Sequence, residues 1–128
     1  MEKGGARPWI WSDYVWHHPE TFIEKMPKSV LQSNWYYGEE FEDDATYVNA
    51  YLVLEEHGYD QVPTGSNWSN PVNFGKTVAY CGERIKPPRL KGFLQAPWHP
   101  TLEECRDHHL AAIQQIAHAR AAWESRNE

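Results

Sequence analysis

Residues 8–18 read PWIWSDYVWHH. A short β-like run over residues 8–13 leads here into a polar and aromatic loop. In the first half, Trp9 and Trp11 alternate with Ile10, which is the period of a β-strand. In the second half, Asp13 stands among aromatic and imidazole side chains. The stretch therefore predicts a strand whose bulk fills the interior of the fold, followed by a loop that carries polar chemistry.

The same arrangement recurs three more times along the chain. Four β-like runs, at about residues 8–13, 29–36, 59–64 and 90–96, alternate with helical stretches. The last helix is predicted over about 102–123, opened by a capping box of Thr101 with Glu104, and Leu110, Ile113 and Ile116 mark one apolar face. Strands that alternate with helices predict α/β architecture with four βα units and parallel strands. The length suits a single domain over 1–128.

Charge and composition argue against two classes of partner. The formal net charge is −6, and no basic block occurs, so we expect neither nucleic acid nor an anionic membrane surface as a partner. No apolar run approaches the roughly 20 residues of a membrane span. The N-terminal residues MEKGGARP lack the apolar centre of a signal peptide. The sequence does not indicate a compartment.

Polar and aromatic residues follow each predicted strand at its C-terminal end. The C-terminal ends of parallel strands share one edge of a sheet, and ligands bind there in α/β folds. The sequence therefore predicts one ligand-binding rim. The candidate binding residues are Asp13, Trp16, Trp35, Tyr37, Asn67, Trp68, Gln95, Trp98 and His99.

This combination of side chains suits a ligand with apolar faces and hydroxyl groups at its edges. Indole and phenol rings offer flat, rigid contact area, and carboxylates and amides take up hydroxyl groups. A sugar ring has both properties. Asp13 is a weak candidate for a catalytic group and would otherwise cap the following turn, while Trp11 could line a pocket or the interior. No pattern in the sequence predicts a cofactor.

Four quoted segments resemble one known family: PWIWSDYVWHHPE, VLQSNWYYG, LEEHGYDQVPTGSNWSN and LKGFLQAPWHPTLEE. They are similar to the C-terminal half of the (β/α)8 barrel in family 20 glycoside hydrolases, the β-N-acetylhexosaminidases and their relatives. The similarity runs from about residue 7 to 123. It implies half of a TIM-type (β/α)8 barrel that forms the sugar-binding wall of a glycosidase site, with Trp35 and Trp98 packed around the sugar.

The chain departs from this family at the positions that carry its chemistry. The family's catalytic Asp-Glu pair follows the fourth barrel strand, and no Asp-Glu dipeptide occurs in this sequence. Where the family has a Tyr and an Asp for the acetamido group, this chain has TGSNW, and Pro100 stands where a Glu grips sugar hydroxyls. Half a barrel would also leave two unpaired strand edges, so the resemblance implies a partner, either the missing barrel half or a second copy of the chain in a homodimer.

Two other functions use the same residues. The rim could belong to a non-catalytic carbohydrate-binding or interaction module, or the chain could be a metal-dependent hydrolase. Metal ligands would come from Asp13, His17, His18 and His99. No tight signature such as HExxH is present, so we predict no metal site. An open flavodoxin-like sheet is a further alternative for the fold, ranked below the half-barrel.

Overall fold

A computed structural model of the chain describes residues 2–126. These residues form four α-helices: α1 Pro19–Lys25, α2 Thr46–Glu56, α3 Asn73–Arg84 and α4 Arg106–Arg126. They also form four short strands: β1 Trp9–Trp11, β2 Leu31–Ser33, β3 Thr64–Gly65 and β4 Leu94–Gln95. Short 3₁₀ helices span Glu2–Gly4, Asp13–Trp16 and Glu103–Cys105.

The strands pair in two small parallel sheets. In the first sheet, β1 lies beside β2 with Ile10 opposite Gln32. In the second, β3 lies beside β4 with Thr64 opposite Leu94. Isolated parallel bridges join further residues: Gln32 with Gln61, Trp35 with Thr64, and Gln61 with Leu90. All these pairings are parallel, so the C-terminal ends of the strands face the same way.

The predicted fold, four βα units forming half of a TIM-type (β/α)8 barrel, is wrong. Residues 2–126 form two two-stranded sheets linked through isolated bridges, and each strand is only two or three residues long. Pro63 interrupts the third predicted run because proline has no N–H to donate to a ladder. Gly92 interrupts the fourth run because its φ of +156° takes the backbone away from the strand conformation.

The buried apolar side chains form two clusters against α2. One cluster contains Val15, Phe22, Ala50, Leu54 and Tyr59, and the other contains Val48, Tyr51, Cys81 and Ile85. Ile10 of β1 packs against the first cluster, so one face of β1 is turned towards the helices. The core therefore lies between the sheets and the helices that cover this face.

The other face of β1 is open, contrary to the expectation that Trp9 and the bulk of this strand fill the interior. Trp9 is 52% exposed and Trp11 is 46% exposed. The Trp9 indole Nε1–H donates a hydrogen bond of 2.7 Å to Ser33 Oγ on the neighbouring strand. This bond orients the Trp9 ring across the sheet without covering it.

Helix α4 begins at Arg106, after a 3₁₀ turn, rather than near residue 102. Thr101 and Glu104 form no capping hydrogen bonds; instead His108 and His109 bond through Nε2 to the carbonyl oxygens of Pro97 and Pro100, both at 2.9 Å. The predicted apolar face is exposed in the structure: Leu110, Ile113 and Ile116.

The contact of α4 with α3 depends on small residues rather than on that apolar face. The Trp123 ring lies over Gly82 of α3, where an added Cβ would come within 2.4 Å of the indole. Ala112 is the buried residue of α4. Small side chains let α3 and α4 approach closely. The close approach at these small residues decides which face of the Ala-rich helix α4 is covered.

Gly65 and Gly75 give a matched test of how closely β3 packs against α3. A Cβ on Gly65 would lie 3.0 Å from the Phe74 Cα and from Thr77 Oγ1 of α3. Gly65→Ala should therefore lower the free energy of unfolding by about 1–3 kcal/mol. A Cβ on Gly75 meets nothing within 4 Å, so Gly75→Ala should raise that free energy by about 0.5–1 kcal/mol. Urea denaturation measures both, and equal stability of the two variants would contradict the packing described.

Candidate functional site

A cavity of about 500 Å³ opens at the C-terminal ends of the strands. We call it the aromatic cleft and define it by its lining residues: Trp11, Asp13, Trp35, Tyr37, Trp68 and Trp98. Trp11 ends β1, and Trp35 follows β2 and bridges to Thr64. Trp68 and Trp98 lie in the loops after β3 and β4. Each strand thus supplies at least one ring to the same cavity.

Trp98 and Tyr37 are joined across the aromatic cleft. Trp98 has a φ of +56°, a left-handed conformation that bulky residues rarely adopt. Its indole Nε1–H donates a hydrogen bond of 2.7 Å to the Tyr37 hydroxyl oxygen. Burial raises the pKa of Tyr37, while the hydrogen bond from Trp98 acts in the opposite direction. Tyr37 is therefore a neutral phenol at physiological pH, and its own O–H can donate to a ligand.

The Trp35 ring is braced by two aromatic neighbours. Tyr37 lies tilted against it with ring centroids 5.0 Å apart, and the edge of Trp16 meets it at 4.5 Å. These distances fall in the range of favourable aromatic pairs. Trp35 is therefore fixed in place without a ligand.

Asp13 supplies the carboxylate of the aromatic cleft. It opens the 3₁₀ helix after β1 and is exposed. Among residues 2–126, no side chain forms a hydrogen bond or ion pair with this carboxylate, so both oxygens can accept hydrogen bonds from a ligand.

A buried amide, Asn73, connects two loops of the aromatic cleft. Its side chain is fully buried at the start of α3. Nδ2 donates to the carbonyl oxygens of Tyr36 at 2.9 Å and Gly38 at 2.7 Å. Oδ1 accepts the Ser66 N–H at 2.9 Å. One side chain thus holds the loop that carries Tyr37 and the loop that leads to Trp68.

Shorter links complete this connection. The Tyr37 carbonyl oxygen accepts hydrogen bonds from Ser69 Oγ at 2.7 Å and Asn70 Nδ2 at 3.0 Å. Ser66 Oγ accepts the Trp68 N–H at 2.9 Å and donates to the Ala96 carbonyl oxygen at 2.6 Å. The loops after β2, β3 and β4 are therefore bonded to one another.

The structure brings five of the nine predicted binding residues into one cavity, where Trp11 joins them. The five are Asp13, Trp35, Tyr37, Trp68 and Trp98. Trp16 lies on the far side of Trp35, where its Nε1–H donates to Asn34 Oδ1 at 2.7 Å. Trp16 therefore supports the site without lining the aromatic cleft.

The other three predicted residues are engaged in the protein's own structure. Asn67 is buried, and its Nδ2 donates to the His108 carbonyl oxygen at 3.0 Å. Gln95 Nε2 donates to Gln115 Oε1 at 2.8 Å. His99 lies against His108 with ring centroids 3.6 Å apart. These contacts tie the strand-end loops to α4.

Two supporting residues were missing from the predicted set, Asn34 and Asn73. Asn34 is buried directly after β2, and its Nδ2 donates to the Tyr47 carbonyl oxygen at 2.8 Å. Its position beside Trp35 at a strand end was a usable signal. Asn73 has no such signal, because its bonding partners lie in distant loops.

The metal-ligand set is not assembled. Within residues 2–126, no group of three or more His, Cys, Asp or Glu side chains is placed to hold a metal ion. His17 packs against Tyr47, His18 stacks on Tyr14 and His99 lies against His108.

None of the described helices combines the length and the hydropathy that a bilayer crossing requires.

Comparison with known proteins gave no match: no family model, curated protein or solved structure is significantly similar to this chain.

His99 should make stability depend on pH. Desolvation, with His108 and His109 nearby, lowers the pKa of His99 below its usual 6.5. The unfolded chain therefore binds this proton more readily than the folded chain does, and stability falls as the pH drops below about 6.5. Urea denaturation at pH 7.5 and pH 5.5 should show a smaller loss for His99→Gln than for the unchanged protein. His118→Gln, at an exposed position of α4, is the control, and an equal reduction in that variant would contradict the assignment.

Proposed function

We propose that this chain binds a saccharide in the aromatic cleft. The observation that carries the proposal is the convergence of five aromatic rings and one carboxylate on a single cavity of about 500 Å³. Trp68 and Trp98 are each 59% exposed there. Concave sites that combine apolar walls with a few polar groups are typical of ligand binding.

The chemistry of the aromatic cleft suits a sugar ring. Indole faces match the apolar C–H faces of the ring. The Asp13 carboxylate accepts hydrogen bonds from hydroxyl groups, and such charge-assisted bonds are the stronger kind. The Tyr37 hydroxyl donates one more. The ligand is thus held by stacking and oriented by hydrogen bonds at its edge.

The charge of the aromatic cleft disfavours an anionic ligand. Among the described residues, no lysine or arginine lines it, and its single charged group is the carboxylate of Asp13. Nucleic-acid sites that use aromatic stacking also carry positive charge along the backbone path. The absence of cationic lining in the described part of the chain therefore supports a saccharide over a nucleotide or another phosphorylated compound.

The proposal concerns binding and does not include hydrolysis by these residues alone. Most glycoside hydrolases use a pair of carboxyl groups, and Asp13 is the one carboxylate among the described residues that line the aromatic cleft. The wall of a hexosaminidase-like site, with its catalytic pair supplied by another segment, stays a prediction from the resemblance. A non-catalytic carbohydrate-binding module uses the same aromatic cleft.

Trp98→Ala tests the proposal against a matched tryptophan, Trp9. Both rings are more than half exposed, but only Trp98 lines the aromatic cleft. A glycan array identifies a bound saccharide, and calorimetric titration then measures its affinity for each variant. Trp98→Ala should weaken binding about tenfold or more, the size of a moderate hot-spot contribution, while Trp9→Ala should stay within about twofold. Absence of any bound glycan, or an equal loss in both variants, would contradict the proposal.

Asp13→Asn tests the polar half of the site. The substitution preserves the shape of the side chain but removes the charge that strengthens hydrogen bonds from sugar hydroxyls. We expect about tenfold weaker binding of the same saccharide, because hydrogen bonds to charged groups contribute about 1.5–3 kcal/mol. Asp44→Asn, in the acidic loop before α2, controls for the change in net charge. Unaltered affinity in Asp13→Asn would exclude Asp13 from the site.

A further inference from the structure

A second cavity, of about 320 Å³, adjoins the aromatic cleft. It is lined by Trp16, Trp35, Tyr36, Tyr37 and Tyr47, and we call it the side cavity. Trp35 and Tyr37 line both cavities. The two spaces therefore have a common wall made of two aromatic rings.

The side cavity is held in shape by a buried amide. Asn34 is fully buried, and its Oδ1 accepts the Trp16 indole N–H at 2.7 Å while its Nδ2 donates to the Tyr47 carbonyl oxygen at 2.8 Å. The Trp16 ring meets Trp35 at 4.5 Å and Tyr47 at 4.6 Å, both edge-on. The rings are fixed before a ligand arrives, which lowers the entropic cost of binding.

We propose that the aromatic cleft and the side cavity are adjacent subsites, and that the ligand is an oligosaccharide with at least two sugar rings. One ring occupies each cavity, and the chain of the ligand passes over the edge formed by Trp35 and Tyr37. This inference rests on the proposed saccharide binding. It adds the requirement for a second ring, which the aromatic cleft alone does not impose.

The two subsites differ in chemistry. The aromatic cleft contains the Asp13 carboxylate, whereas no charged side chain among the described residues lines the side cavity. The aromatic cleft therefore orients its sugar through hydroxyl groups, and the side cavity adds apolar contact. The second sugar ring should increase the affinity through contact area and tolerate changes in its hydroxyl pattern.

Tyr47→Ala distinguishes the contribution of the side cavity to binding from that of the aromatic cleft. Tyr47 lines the side cavity but not the aromatic cleft, and it is 42% exposed. Only its backbone carbonyl bonds to Asn34, so alanine preserves that bond. Tyr14→Ala is the matched control, because Tyr14 is 54% exposed and lines neither of the two cavities.

The experiment is a calorimetric titration with two series of saccharides: N-acetylglucosamine with its β-1,4-linked dimer and trimer, and glucose with cellobiose and cellotriose. In the series that binds, the dimer should bind the unchanged protein at least about tenfold more tightly than the monomer, or about 1.4 kcal/mol. Tyr47→Ala should abolish this gain and leave the affinity for the monomer within about twofold. Tyr14→Ala should retain the gain.

The contrary results distinguish a failure of the second subsite from a failure of the saccharide proposal. Equal affinities for monomer and dimer would overturn the second subsite and leave the saccharide proposal standing. An equal loss for monomer and dimer in Tyr47→Ala would also overturn it, since Tyr47 would then act on the aromatic cleft through Trp16. If neither series binds, the proposed function itself fails.

Discussion

The side-chain amide of Asn73 is the constraint on which the arrangement of the strand-end loops depends. It binds the carbonyl oxygens of Tyr36 and Gly38 and the N–H of Ser66. Because this amide is fully buried, water cannot replace it, and its loss would leave backbone groups unpaired at about 1–3 kcal/mol each. The positions of Tyr37 and Trp68 follow from these three bonds.

The short parallel strands give the loops a common direction. Two or three residues of pairing are enough to point the ends of β1, β2, β3 and β4 the same way. Most of the buried apolar side chains in the two clusters lie on helices, and α2 contributes to both clusters. The sheets therefore act as a frame for the loops, and the aromatic cleft forms where those loops meet.

Local patterns in the sequence were informative where the structure depends on near neighbours. The alternation of Trp9, Ile10 and Trp11 predicted a strand, and polar residues after each β-like run pointed to the edge where the aromatic cleft lies. Gly58, just beyond the end of α2, has a φ of +80°, the left-handed conformation that glycine adopts readily after a helix. These features depend on backbone preferences that each segment carries by itself.

Other features depend on contacts between distant segments and could not be predicted. The error in the half-barrel prediction was instead local, because Pro63 and Gly92, both visible in the sequence, break the third and fourth runs. Two of the three partners of the Asn73 side chain, Tyr36 and Gly38, lie 37 and 35 residues away, so the neighbouring sequence does not indicate that Asn73 holds their loop. The covered face of α4 was likewise set by Gly82 on another helix.

The central claim is that the tryptophans of the aromatic cleft contact a saccharide, and the chain's seven indole N–H groups allow a direct measurement. A ¹H–¹⁵N NMR titration with the N-acetylglucosamine trimer reports each indole separately. Signals from four tryptophans are expected to move: Trp11, Trp35, Trp68 and Trp98. Signals from Trp9 and Trp123, outside the aromatic cleft, should stay in place. Unmoved cleft signals, or equal shifts at Trp9 and Trp123, would contradict the central claim.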